Sequence, residues 1–161
     1  MPPPLILDPN EIDCTRVIAN VDQIRAVNMQ RFEMEALTAI VLLDPARKLI
    51  VGYKDASLND FWVRGHMPGF PLMPGVMICE AAAQLCSYLV VTQKIFDADF
   101  VGLGALDEVH FRYPVFPGER LILVAHVTRE KKVIAQSDVQ GFVGSKMVFD
   151  AKVSGIPLRR E

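Results

Sequence analysis

Cysteine is scarce here: Cys14, Cys79 and Cys86 are the only three in a chain of 161 residues, and no two stand in a CxxC spacing. An odd count without ligand spacing argues against a disulfide framework and a zinc site, leaving buried free thiols in a reducing compartment as the expectation. An excess of one charge is lacking too. Lys and Arg total 17, Asp and Glu total 19, and the formal net charge is −2. No bulk field would hold a nucleic acid. The opening Met1-Pro2-Pro3-Pro4-Leu5-Ile6-Leu7 has neither the positive n-region nor the long apolar h-region of a signal peptide, so a cytoplasmic location is expected. Nor does an apolar run reach membrane-spanning length. The longest, Val76 to Val91, is interrupted by Glu80, Gln84 and Ser87, whereas a spanning helix takes about 20 apolar residues. Repeats and low-complexity linkers are absent as well, and one domain over residues 1–161 is the expectation.

What is present reads as an ordinary globule, 51% hydrophobic and 22% charged. The first 35 residues form a proline-containing lead and a short helical piece, Asn20 to Met29. From Leu37 the texture turns to β: Leu37 to Leu43, the turn Asp44-Pro45, then Leu49 to Lys54. Gly65 to Gly75 is too dense in Gly and Pro for a helix interior or a central strand. A helix follows, opening near Pro74, where a missing N–H costs nothing, and running to about Lys94. Strands return over Phe100 to Leu106 and Glu108 to Tyr113. After the turn Pro114 to Gly118 they continue over Arg120 to Arg129, Lys132 to Phe142 and Lys146 to Val153. One long apolar helix among many short-turned strands is an α+β pattern, an antiparallel sheet packed on the helix.

A helix apolar nearly all round is a buried helix. Its polar exceptions, Glu80, Gln84 and Ser87, fall on one stripe. That stripe either faces solvent or lines a cleft, and periodicity alone leaves both open. Burying an unpaired carboxylate is costly, so in a cleft Glu80 would be paired or protonated. The loop upstream weighs on the choice. It carries His66 between glycines and prolines, and imidazole is the natural general base near neutral pH. Between the two, Pro74-Gly75-Val76 opens the helix with free N–H donors at the positive end of its dipole. A base, an acid and an oxyanion site are the parts for removing a proton next to a carbonyl.

The stretch Gly65-His66-Met67-Pro68-Gly69-Phe70-Pro71-Leu72-Met73-Pro74-Gly75-Val76-Met77-Ile78-Cys79-Glu80-Ala81-Ala82-Ala83-Gln84 resembles the signature of the β-hydroxyacyl-ACP dehydratases of the FabZ type, approximately G-H-F-P-x-x-P-x-x-P-G-V-x-x-x-E-A-x-A-Q. A second block, Ala105 to Glu119 with Phe111-Arg112-Tyr113-Pro114-Val115-Phe116-Pro117-Gly118, resembles the family in the right order. The resemblance implies a hotdog fold, a long central helix wrapped by a curved antiparallel sheet, and a homodimer whose sheets join. A trimer of dimers is left open. It further implies His66 as the base taking the C2 proton of a (3R)-hydroxyacyl thioester, and Glu80 as the acid for the departing hydroxyl. Gly75 and Val76 would hold the thioester carbonyl, Gln84 would position Glu80, and Met67 would line the substrate. The two catalytic side chains of one site would come from different protomers. The substrate would arrive on the phosphopantetheine of acyl carrier protein (ACP), with no metal, redox cofactor, nucleic acid or membrane involved. Glu80, where the dehydratase-isomerase branch resembles Asp, points to dehydration without isomerisation.

Departures from the pattern concentrate in residues 1–36. Where the family carries His-Arg-x-Pro-Phe, this chain reads Met29-Gln30-Arg31-Phe32-Glu33-Met34-Glu35, and Met67 replaces Phe. An altered acyl tunnel follows as an expectation. Arg112 is the candidate for docking ACP, His110 and His126 are not expected to bind metal, and Phe61 and Trp62 are expected to be packing residues. A hotdog acyl-thioesterase and a non-catalytic acyl-ACP-binding subunit are the competing functions. The first gives no reason for the His66 and Glu80 pairing, and the second predicts loss of one of them.

Overall fold

Residues Met1–Glu161 are all described by the structure, a computed structural model. Its scaffold is one sheet of six antiparallel strands: β1 (Ala39–Asp44), β2 (Leu49–Asp55), β3 (Phe100–Phe111), β4 (Arg120–Lys131), β5 (Ile134–Val143) and β6 (Lys146–Leu158). Their order across the sheet is β1-β2-β4-β5-β6-β3, which puts β1 and β3 on the two edges. A short helix, α1 (Val21–Arg25), precedes β1, and the long helix α2 (Gly75–Thr92) crosses the sheet between β2 and β3, touching every strand from β2 to β6. This is the α+β hotdog arrangement, a central helix wrapped by an antiparallel sheet.

Local signals fix the helix ends. Asn20 and Gln23 close a capping box at the start of α1, each side chain bonding the other's backbone N–H. That helix is shorter than the Asn20 to Met29 piece expected, because Arg31 caps its exit: the guanidinium donates to the carbonyls of Arg25 (2.9 Å), Asn28 (2.8 Å) and Gln30 (2.7 Å). Beyond α2, Lys94 takes a left-handed turn (φ 51°), its N–H returning to the Val91 carbonyl and the Ile95 N–H to the Val90 carbonyl, each at 3.1 Å. Those 5→2 and 6→1 bonds end the helix, although Lys stands where Gly is usual.

Helix α2 supplies the centre of the core. Ala81, Ala82, Leu85 and Leu89 are wholly buried against Ile50, Leu121, Leu123, Val139 and Phe149 of the sheet's inner face. Each such leucine contributes about 2 kcal/mol by leaving water. By composition α2 could cross a membrane, but half of it is buried within the fold.

The sheet's outer face is also apolar, with Val41, Leu49, Val51, Tyr53, Ile122, Val124 and Phe142. The N-terminal segment covers it: Ile6, Leu7, Ile12 and Cys14 pack on that cluster. Buried Gln140 clamps the strap, accepting from Ile6 N–H (2.9 Å) and donating to the Pro4 carbonyl (2.8 Å).

Two strand expectations are corrected. Phe100 to Phe111 is one strand with bulges, because the register against β6 shifts between Asp107 and His110, where Glu108 has φ 49°. And β6 extends past Val153 to Leu158, since both β5 and β3 pair with its later residues.

Candidate active site

His66 is placed by its own loop. Buried Trp62 anchors the approach and its carbonyl receives the His66 N–H at 2.8 Å. Leu72 N–H then donates to the His66 carbonyl (2.9 Å), while the imidazole Nδ1 lies 2.8 Å from the Leu72 carbonyl. Between them Met67 and Phe70 exchange backbone bonds of 3.1 and 3.0 Å, with Gly69 at φ 76° making the tip. The peptide between His66 and Met67 is cis. A carbonyl only accepts, so Nδ1 carries the hydrogen and Nε2 is left with its lone pair. The fold thus selects one tautomer and presents a base. Sequence reading missed the Leu72 carbonyl, since a backbone acceptor leaves no mark in residue type.

Glu80 is placed by distant chain. Gln84, one turn further along α2 and buried, donates through Nε2 to Glu80 Oε1 (2.7 Å) and to the Met34 carbonyl (2.6 Å). Its Oε1 accepts from Ala36 N–H (3.0 Å), and its own carbonyl accepts from Asn28 Nδ2 (2.9 Å). The segment Asn28 to Ala36 is therefore strapped across the polar stripe of α2. This decides between the two readings of that stripe. Glu80 and Ser87 face a cleft, and Gln84 is 2% exposed.

A cleft of about 50 Å³ lies between α2 and the strands β3, β5 and β6. Along the helix it runs from Glu80 past Ala83, Cys86 and Ser87 to Val90, a span of about 15 Å at 1.5 Å per residue. Gln30, Val101, Leu103, Ala135, Val153 and Ser154 line the rest. Burial pushes the Cys86 thiol up to about 12, away from the reactive thiolate.

At the helix N-terminus, Met77 and Ile78 N–H share the Pro74 carbonyl, and the Gly75 and Val76 N–H groups are left without protein acceptors. The Phe111 ring lies against Gly75, where an added Cβ would meet it at 2.9 Å. Val76, Met67, Phe70 and Phe111 are all exposed, between 49% and 74%.

A single chain does not assemble every expected group. Glu80 and Gln84 come together, whereas neither His66, Gly75, Val76 nor Met67 lines the cleft that Glu80 heads. Arg112 donates to Asp150 at 2.6 Å and His110 Nδ1 meets the same carboxylate at 3.0 Å, so the docking candidate is an already paired cation. Glu35, in the segment that departs from the family pattern, pairs with Arg25, whose guanidinium holds its carboxyl below the usual range. Glu33 is exposed, Trp62 is core, and Phe61 is exposed on the surface.

Comparison with known proteins gives the family and the fold. The family model described as a FabA-like domain matches residues 28–152. The chain is 32% identical over 146 residues to the 3-hydroxyacyl-[acyl-carrier-protein] dehydratase FabZ of Lawsonia intracellularis, covering 88% of this chain and 94% of that protein. It is 31% identical over 153 residues to the protein of the same name from Nitratidesulfovibrio vulgaris, covering 93% and 98%. In fold it is similar to a chain of the dehydratase heterocomplex ApeI:P from Xenorhabdus doucetiae, with a TM-score of 0.68 at 10% identity over 83% of this chain and 90% of that one.

Proposed function

The chain belongs to the FabA-like family, and from that premise we propose that it is a 3-hydroxyacyl-ACP dehydratase, a hydro-lyase of fatty-acid or related acyl-chain biosynthesis. Its substrate is a (3R)-hydroxyacyl thioester on the phosphopantetheine of ACP, and its products are the trans-2-enoyl thioester and water. Glu80 carries the reading: one carboxyl, oriented by Gln84, at the end of a half-apolar cleft that runs about 15 Å along α2.

Nε2 of His66 takes the C2 proton, and the electron pair moves toward the thioester carbonyl. The Gly75 and Val76 N–H groups meet the oxygen where charge gathers. As that pair returns to form the C2–C3 double bond, the C3–O bond breaks and Glu80 gives its proton to the departing hydroxyl, which leaves as water. Exchange with solvent then returns a proton to Glu80 and removes one from His66. Electrons balance within the substrate, so these steps need no redox cofactor.

The working unit is a dimer. Strand β3 is a long edge with Leu103, Leu106 and Phe111 exposed, a row of unpaired backbone groups open to a second copy. Pairing there joins the two sheets and lets the loop of one protomer bring its His66 to the cleft of the other. Three free cysteines suit the reducing cytoplasm.

The first test is turnover of 3-hydroxyacyl-ACP thioesters of graded length, followed by the ultraviolet absorbance of the enoyl product. Enoyl formation by the wild type, lost in His66→Ala and in Glu80→Gln, is the expected result. Thiol release without enoyl product would make it a thioesterase, and acyl-ACP binding without turnover a carrier-binding subunit. Mixing the two inactive variants tests the shared site. Random exchange rebuilds one intact site in half of the dimers, about a quarter of wild-type activity. No recovery would place both groups of a site on one chain.

A further inference from the structure

Among the residues that line the cleft with Glu80 is Gln30, whose carboxamide lacks a partner. Its Oε1 is buried and accepts no hydrogen bond from any protein donor. Leaving such an acceptor unpaired is costly, and native folds rarely do so without reason.

Nor is the residue free to turn away. Arg31 grips the Gln30 carbonyl and those of Asn28 and Arg25, Asn28 is tied to the Gln84 carbonyl, and Gln84 is tied to Glu80. The same glutamine thus holds the carboxyl on α2 and the strap that carries Gln30. Asn28 Oδ1 is also unpaired, but its Nδ2 is spent on α2 and it does not line the cleft, so it serves as a lock.

We infer that Gln30 is a substrate-binding residue whose carboxamide oxygen accepts the hydrogen of the 3-hydroxyl group, turning that oxygen's lone pairs toward Glu80. This rests on the dehydratase reading and deepens it. A carboxamide suits the task because it stays neutral. It holds the hydroxyl hydrogen without competing for the proton that Glu80 must deliver. It also makes the cleft selective, because a site built to bond a hydroxyl rejects an analogue without one. Cys86, Ser87 and Ser154 lie further down or across the cleft and do not share the strap that fixes Gln30.

The probes are pantetheine amides, whose weakly acidic C2–H prevents turnover: a 3-hydroxyacyl amide and its 3-deoxy counterpart, titrated calorimetrically into the whole protein. The wild type is expected to prefer the hydroxy probe about tenfold, the usual worth of one neutral hydrogen bond. In Gln30→Met, which keeps volume and removes the carboxamide, the preference should fall below about threefold through the hydroxy probe alone. Gln30→Ala should do the same and serves if the first variant melts early. Equal preference in wild type and variants, equal weakening of both probes, or no binding of either probe overturns the assignment. The preference is read without turnover, so a wild type that makes no enoyl product but keeps a Gln30-dependent preference sinks the reaction and spares the residue.

Discussion

The two halves of the proposed catalytic machinery are held in opposite ways. His66 is oriented by a carbonyl six residues away, in a loop that folds on itself and remains at the surface. Glu80 is oriented by Gln84, whose other partners lie 48 to 56 residues away, Asn28 and Ala36 buried with it. The base is a local device and the acid a tertiary one. A loop can tune the base without cost to the fold, while the acid cannot be loosened without loosening the core.

The largest expected effect falls on both halves alike. His66→Ala and Glu80→Gln should each lower kcat by about 10³-fold, within the range for losing a general base or acid. Their melting temperatures separate them from structural lesions. Little change is expected, since the His66 side chain bonds only its own loop and the amide in Glu80→Gln still accepts from Gln84.

Gln84→Leu should divide the halves. It strands the buried Ala36 N–H and the part-buried Met34 carbonyl, costing about 3 kcal/mol in chemical denaturation besides abolishing activity. Lost activity with unchanged stability would make the acid as local as the base, and the comparison would fail.

Alkaline pH probes the tertiary half next. Burial raises the Cys86 thiol from 9.0 to about 12. Below pH 9 both folded and unfolded thiols are neutral, and this contribution to stability is whole. Above it the unfolded chain ionises first, so stability falls until the folded thiol also ionises near 12. About 1 kcal/mol should be lost between pH 8 and 10, and Cys86→Ala should flatten that decline in a series of thermal melts.

The smallest effect belongs to the loop. Gly69 holds φ 76° with open space where a Cβ would stand, so Gly69→Ala carries only backbone strain, about 1 kcal/mol. Kinetics should register it as a several-fold drop in kcat with an almost unchanged melting temperature.

That division also explains what could be read from the chain. The loop signals were local, so the helix opening near Pro74, the loop before it and the helix itself were legible. The fate of the polar stripe was not. Periodicity shows that Glu80, Gln84 and Ser87 share a face but not what covers it, and the cover is the strap from Asn28 to Ala36. The strand was divided in two at Asp107, because a bulge next to it interrupts the apolar pattern as a turn would. Gln30 stood in the departure from the family pattern, yet only its unpaired oxygen in the cleft gives it a task. The apolar residues of the first 14 positions were too sparse to announce a docked segment.

That segment sets an order of events. Its anchor, Ile6 on Gln140, joins positions 134 residues apart, a closure that cannot form before β5 is in place. The beginning of the chain therefore settles last, and long closures of this kind are slow to form. Held by a few contacts, it is also the part that opens first under native conditions. Hydrogen exchange should reach the Ile6 amide well before those of β4 and β5. Proteolysis at the N-terminus should bare the outer sheet face while the chemistry on the inner face carries on.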